Sequence, residues 1–210
     1  MIKFRIAGLL CCILFFGCNN NHKSSNEIFS SEIAADTISS EVPAELKSNE
    51  PIAFLAITSH ALQVIDATTG STTELTIGME MEKLTEILKR VLPFELPKPQ
   101  VNSECGAGPM TILTLENGLI IMSQSSGKDP GKMDFVGWSL SQSDQPSRKI
   151  TTLSGIGIGS TREELENVYM VEINNTSLGN EFSIGNTMFG ILNSRDQIEF
   201  LWSGLSCNFR

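Results

Sequence analysis

No apolar run in this 210-residue chain reaches the roughly 20 residues that a helix needs to cross hydrocarbon. The most apolar stretch, Ile6 to Phe16, is little more than half that long, so a permanent membrane span is the weaker reading. Basic residues are also scarce. Lys and Arg total 15 against 24 Asp and Glu, and only Lys89-Arg90 and Arg148-Lys149 are adjacent. Gripping a phosphate backbone takes clustered cations, so nucleic acid is set aside as a partner. The acidic excess reads instead as a solvated surface that keeps the chain soluble.

Histidine occurs only as His22 and His60, and with the cysteines it forms no recognised ligand spacing, which leaves metal sites unsupported. Ser125-Ser126-Gly127-Lys128 matches the S-x-x-K of penicillin-binding enzymes. The S-D-N and K-T-G partners of that chemistry are missing, and Gly127, Pro130 and Gly131 make the segment a loop. Gly155 to Gly159 does not complete G-x-G-x-x-G, and no parallel β-α-β pattern surrounds it. The residues therefore call for no cofactor.

The beginning of the chain is more informative. Lys3 and Arg5 precede the apolar run, and the small Gly17 and then Cys18 follow it, the three-part layout of a secretory signal over residues 1–17. Leu14 to Cys18, LFFGC, resembles a bacterial lipobox, which implies acylation of Cys18 once the signal is removed; Phe15 stands where that motif usually has Leu. Such a protein faces the periplasm or the exterior and is held to a membrane by its lipid, with palmitate among the expected chains. Without Lys3 and Arg5 the mature chain carries 13 basic and 24 acidic residues, a net charge near −11. Residues 18–50 are rich in Ser, Asn and acids and have no helical or strand periodicity. They are expected to be a disordered tether, because too little apolar surface is present to offset chain entropy. Asp36-Thr37-Ile38 resembles the O-glycosylation acceptor of secreted Bacteroidetes proteins, which makes Thr37 a candidate modification site.

Residues 51 to 210 suffice for one core or two small packed ones. Ile52 to Ile57, Ala61 to Ile65 and Glu74 to Ile77 read as short strands, with turn chemistry at Asp66 to Ser71. Met81, Leu84, Leu88 and Val91 recur at helical spacing until Pro93 stops the pattern. Thr111 to Leu115, Leu119 to Ser123 and Phe135 to Leu140 read as a meander, with Asn117-Gly118 as a hairpin turn. In the second half a Gly-ended strand precedes a helix with Leu165, Val168 and Tyr169 on one face, and Ser160 with Glu163 fits a capping box. Gly78, Leu84 and Ile87 align with Gly159, Leu165 and Val168 at an offset of 81 residues, which suggests an internal duplication. The expected fold is α+β, with two related helix-plus-antiparallel-sheet units at 51–148 and 149–210.

These segments carry a resemblance. Ile150 to Tyr169, Ser177 to Phe182 (SLGNEF) and Phe200 to Arg210 (FLWSGLSCNFR), with SECG at Ser103 to Gly106 and VGWSL at Val136 to Leu140, resemble a family of bacterial secreted proteins and lipoproteins. The resemblance covers most of residues 52 to 210 and implies location, with no activity to transfer. More loosely, the strand-Gly-helix openings resemble the tandem units of β-lactamase inhibitor proteins and of small outer-membrane assembly lipoproteins.

Cys105 and Cys207 are the cysteines left in the folded region, and an exported protein matures in an oxidising compartment, so a disulfide between them is expected. His60 follows Thr58-Ser59, but neighbouring strand residues face opposite ways, and a turn histidine is the better reading. Trp138 and Trp202 read as core, while Asp134, Glu163, Glu164 and Glu166 read as surface charge. No catalytic constellation assembles. The sequence thus favours a lipid-anchored, non-enzymatic binding module of the cell envelope whose partner is an unidentified envelope protein or ligand. An envelope hydrolase, or an inhibitor of a periplasmic enzyme, is the alternative.

Overall fold

The structure, a computed structural model, describes residues 53–143 and 149–207. These fall within one compact unit, Lys47–Arg210. Three strands open it: β1 (Ala53–Ile57), β2 (Ala61–Asp66) and β3 (Thr72–Thr76) form an antiparallel sheet in that order. The β2–β3 turn is held by Asp66, whose Oδ1 accepts hydrogen bonds from the Thr69 backbone N–H at 2.7 Å, from Thr69 Oγ1 at 3.0 Å and from the Thr68 backbone N–H at 2.9 Å. These bonds, the Thr69 backbone first, hold its carboxyl below the ordinary value of 3.8.

Helix α1 (Met81–Val91) follows, then β4 (Gln100–Asn102), β5 (Met110–Thr114), β6 (Leu119–Ser125) and β7 (Met133–Ser141). Helix α2 (Arg162–Val168) leads into β8 (Val171–Thr176), β9 (Gly179–Ile184), β10 (Met188–Leu192) and β11 (Ile198–Gly204). The last eight strands make one antiparallel sheet in the order β4-β5-β6-β7-β11-β10-β9-β8.

This architecture corrects the α+β expectation. The described chain is mostly β, with two antiparallel sheets and two short helices of 11 and 7 residues, and it is not a pair of helix-plus-sheet units. The physical reason lies at the seam: β7 pairs with β11 from Phe200↔Ser141 to Gly204↔Gly137, so strands from both halves share one hydrogen-bonded ladder. The halves also share a core. Ile57, Leu62 and Leu75 of the small sheet, Leu84 and Leu88 of α1, Leu165 of α2, and Trp138, Phe182 and Leu201 of the large sheet belong to one buried cluster. The 81-residue offset survives as a local correspondence. Gly78 and Gly159 both have positive φ, 96° and 86°, and the helices start at Met81 and Arg162. Each segment docks on a strand in the same way: Gly78 N–H donates to Phe135 O and Phe135 N–H to Met79 O, as Gly159 does to Ile198 and Ile198 to Ser160.

Two details of the α2 segment also differ from expectation. The capping box is Thr161 with Glu164, one residue later than Ser160 with Glu163: Thr161 Oγ1 accepts from Glu164 N–H at 3.2 Å, and Glu164 Oε2 accepts from Thr161 N–H at 2.8 Å. Val168 faces outward at 42% exposure, while Leu165 is fully buried. No helix among the described residues is long and apolar enough to cross a membrane.

Candidate functional site

Side chains alternate across a strand, so the register divides the large sheet into two faces. Ile121, Trp138, Leu140, Leu201, Gly190 and Phe182 share the covered face, against which the small sheet and both helices pack. The β1–β2 turn is pinned there: Trp138 Nε1 donates to Thr58 O at 3.0 Å, and Ser203 Oγ donates to Ser59 O.

Among the described residues, no helix or second sheet covers the opposite face. Cross-strand pairing lines up Thr114, Ile120, Ser139, Trp202, Phe189, Ser183 and Glu172 in one row. A second row runs through Ser141, Phe200, Ile191, Glu181 and Asn174. Phe189 stacks on Trp202 with ring centroids 5.9 Å apart, and Phe200 tilts against Trp202 at 5.6 Å. The result is an aromatic ridge across the middle of the open face. Phe189, Ile191 and Phe200 are half-buried, as are Ile112 and Ile120, whereas Trp202 is 7% exposed.

A groove lies on each side of the ridge. One, of about 600 Å³, is bordered by Gln100, Asn102, Ile112, Ile120, Met122 and Phe200. The other, of about 210 Å³, is bordered by Asn174, Glu181, Ser183, Phe189 and Trp202. Cys207 borders the larger groove, with Cys105 beside it. They are joined as a disulfide with Cα atoms 5.2 Å apart, over Met110 and Met122. Cys207 Sγ sits 3.3 Å from Met110 Sδ.

The other residues singled out in the sequence are scattered. Cys18 and Thr37 lie outside the described residues. His60 is in the exposed β1–β2 turn, with its Nδ1 3.4 Å from Ser59 Oγ, closer than strand geometry would allow, because these residues sit in a turn; among the described residues no third group orients the pair. Ser126 Oγ accepts from the backbone N–H groups of Lys128 and Asp129, so the S-x-x-K segment is a tight loop. Glu166 pairs with Arg162 at 2.8 Å on the surface. No group of three or more His, Cys, Asp or Glu that could hold a metal occurs among the described residues.

Sequence reasoning read Trp138 and Trp202 alike, but they occupy opposite faces of neighbouring strands. Trp138 pairs with Ser203, and Trp202 with Ser139. The signal that separates them was the alternation within Phe200 to Ser203, where Phe200 and Trp202 fall on one side and Leu201 and Ser203 on the other. Comparison of the chain with models of protein families, with curated proteins and with solved structures finds no match.

Proposed function

We propose that this chain is an envelope lipoprotein, acylated at Cys18, whose folded part binds a partner through the open face of the eight-stranded sheet and does no chemistry of its own. The observation that carries the reading is the band of apolar side chains on that face. Ile112, Ile120, Phe189, Ile191 and Phe200 are half-buried on the face that carries Trp202, where no helix or second sheet covers them among the described residues, and soluble domains rarely leave contiguous apolar surface unless something docks on it. The tether read from residues 18–50 supports the same role, since a module that must meet a partner away from the bilayer needs reach.

One experiment with two arms tests both parts. In cells fed a labelled fatty acid, Cys18→Ala is expected to abolish the label and leave an unprocessed precursor. In the same cells, a photo-crosslinking residue at Ile191 is expected to give a discrete adduct, and one at Glu163, on α2, none. Equal label on the variant would overturn the anchor. Adducts from both positions, or from neither, would overturn the binding face.

A further inference from the structure

We infer that two copies of this chain join through the free edge of β8, antiparallel and around a two-fold axis at Ile173. The inference does not depend on what the open face binds. The two edges of the eight-stranded sheet are built differently. β4 is three residues long and follows Pro97 and Pro99, both features that discourage the addition of a further strand. β8 is six residues long, pairs with β9 at every one of them without a register shift, and contains no Pro, Lys or Arg. Its outward groups follow from the alternation of hydrogen-bonded pairs in an antiparallel sheet. Leu205 N–H donates to Val136 O, which makes Ser203 with Trp138 and Leu201 with Leu140 the bonded pairs between β11 and β7. Carried through β10 and β9, the same alternation turns the backbone groups of Glu172, Asn174 and Thr176 toward β9 and those of Val171, Ile173 and Asn175 outward. Among the described residues nothing pairs with the outward groups.

A second copy suits this edge because the strand complements itself. With the axis at Ile173, Ile173 meets its own copy, Val171 meets the second copy's Asn175, and every outward N–H and C=O of these residues gains a partner. Glu172 is the one charge on β8, and it comes opposite the second copy's Asn174, a neutral amide that can donate to it. An axis at Glu172 would set two carboxylates face to face, and an axis at Asn174 would put Val171 against the turn at Ser177. Apolar burial favours the same arrangement. Val171 and Ile173 are half-buried at the rim of the core, Ile173 in the row of Phe182, and pairing extends that core from one copy into the next. Met170, at the start of the strand, is 94% exposed and comes against the second copy's Thr176. Glu172 and Asn174 lie on the open face, so the two joined sheets present that face as one continuous surface.

The test is made in cells that co-express two differently tagged full-length copies, one with Glu172→Cys and the other with Asn174→Cys. In the inferred register these positions form a non-hydrogen-bonded pair with Cα atoms about 4.5 Å apart, close enough for a disulfide. A covalent dimer that carries both tags and splits on reduction is expected. Either variant expressed alone should give little of it, because like positions are then out of register. Asn175→Pro, added to both copies, removes an outward N–H without removing a β8–β9 backbone bond, and is expected to lower the yield of mixed dimer about tenfold while the melting temperature stays near the parent's. The cysteine pairing decides even if Asn175→Pro melts early, since it leaves the strand's backbone as it is. A mixed dimer no more abundant than the dimers from single variants would overturn the self-pairing, as would a yield indifferent to Asn175→Pro. An adduct with a different protein in place of the mixed dimer would give the edge to a foreign strand and overturn it too. None of these outcomes bears on crosslinking at Ile191, so the open-face reading is judged separately.

Discussion

At Gly190 the backbone of β10 has no room for a side chain. A Cβ there would run into the Phe182 ring and the carbonyl oxygen of Phe200. Phe182 is the cross-strand partner of Gly190 and is 2% exposed, so its ring lies across the glycine and fills the core where β9 meets β10. Crowding rather than backbone torsion makes this position small, since its φ is not in the left-handed region. Gly190→Ala must therefore push Phe182 out of its place or bend the strand. Overpacking of this kind typically costs about 1 to 3 kcal/mol, and thermal unfolding of the variant is expected to show a clear drop in melting temperature. An unchanged melting temperature would mean that the ring can move without loss.

Among the elements, those with strong local signals were legible before any coordinates. Pro93 and the spacing of Leu84 and Leu88 mark α1, and Asn117-Gly118 marks the β5–β6 hairpin, where Gly118 has φ 83°. The α2 cap slipped by one residue because Ser160 is occupied elsewhere: its Oγ accepts from Gly157 N–H, and its carbonyl accepts from Ile198 N–H. The open face was not legible. Ile120 and Ile121, or Leu201 and Trp202, are apolar on both sides of a strand, so alternation cannot say which side is covered; that depends on helices and a sheet distant in sequence. The sheet join at β7–β11 was hidden for the same reason, and the two-unit α+β expectation went with it. The Cys105–Cys207 pair was legible because these are the two cysteines of the folded region, and the structure adds what it ties: the loop after β4, at one edge, to the segment after the central strand β11. Closing a loop with a separation of 102 residues stabilises the fold, in the chain-entropy model, by about 4 to 5 kcal/mol, a large share of the roughly 5 to 15 kcal/mol typical of a whole domain. Cys105→Ser, Cys207→Ser and the double variant are expected to lose nearly the same stability in urea titrations, because each removes one and the same bond. A double variant as stable as the parent would show that the cross-link contributes nothing to the fold.

For the whole molecule, the decisive feature is that the seam between the first and second halves of the chain is also the centre of the sheet. β7 contributes Trp138 and Leu140 to the core and pairs on one side with β6 and on the other with β11, so neither half can separate without leaving a long ladder of N–H and C=O groups unpaired. The buried cluster runs without a break from Ile57 on β1 to Leu201 on β11. Independent units would each need their own core, and here Leu165 of α2 and Leu84 of α1 bury into the same one. The two tryptophans allow this to be tested, because they report on opposite faces of the central strands: Trp138 from within the core, Trp202 from the aromatic ridge. Urea unfolding followed by fluorescence in Trp138→Phe and Trp202→Phe proteins, each left with one reporter, is expected to give a single transition with the same slope as far-UV circular dichroism in each protein, after allowance for any shift in midpoint caused by the substitution itself. Residues 149–210 expressed alone are expected to remain unfolded, since β11 would then present its β7 edge, and its share of the core, to water. Two separated transitions, or a folded second half, would show that the shared sheet does not enforce one cooperative unit.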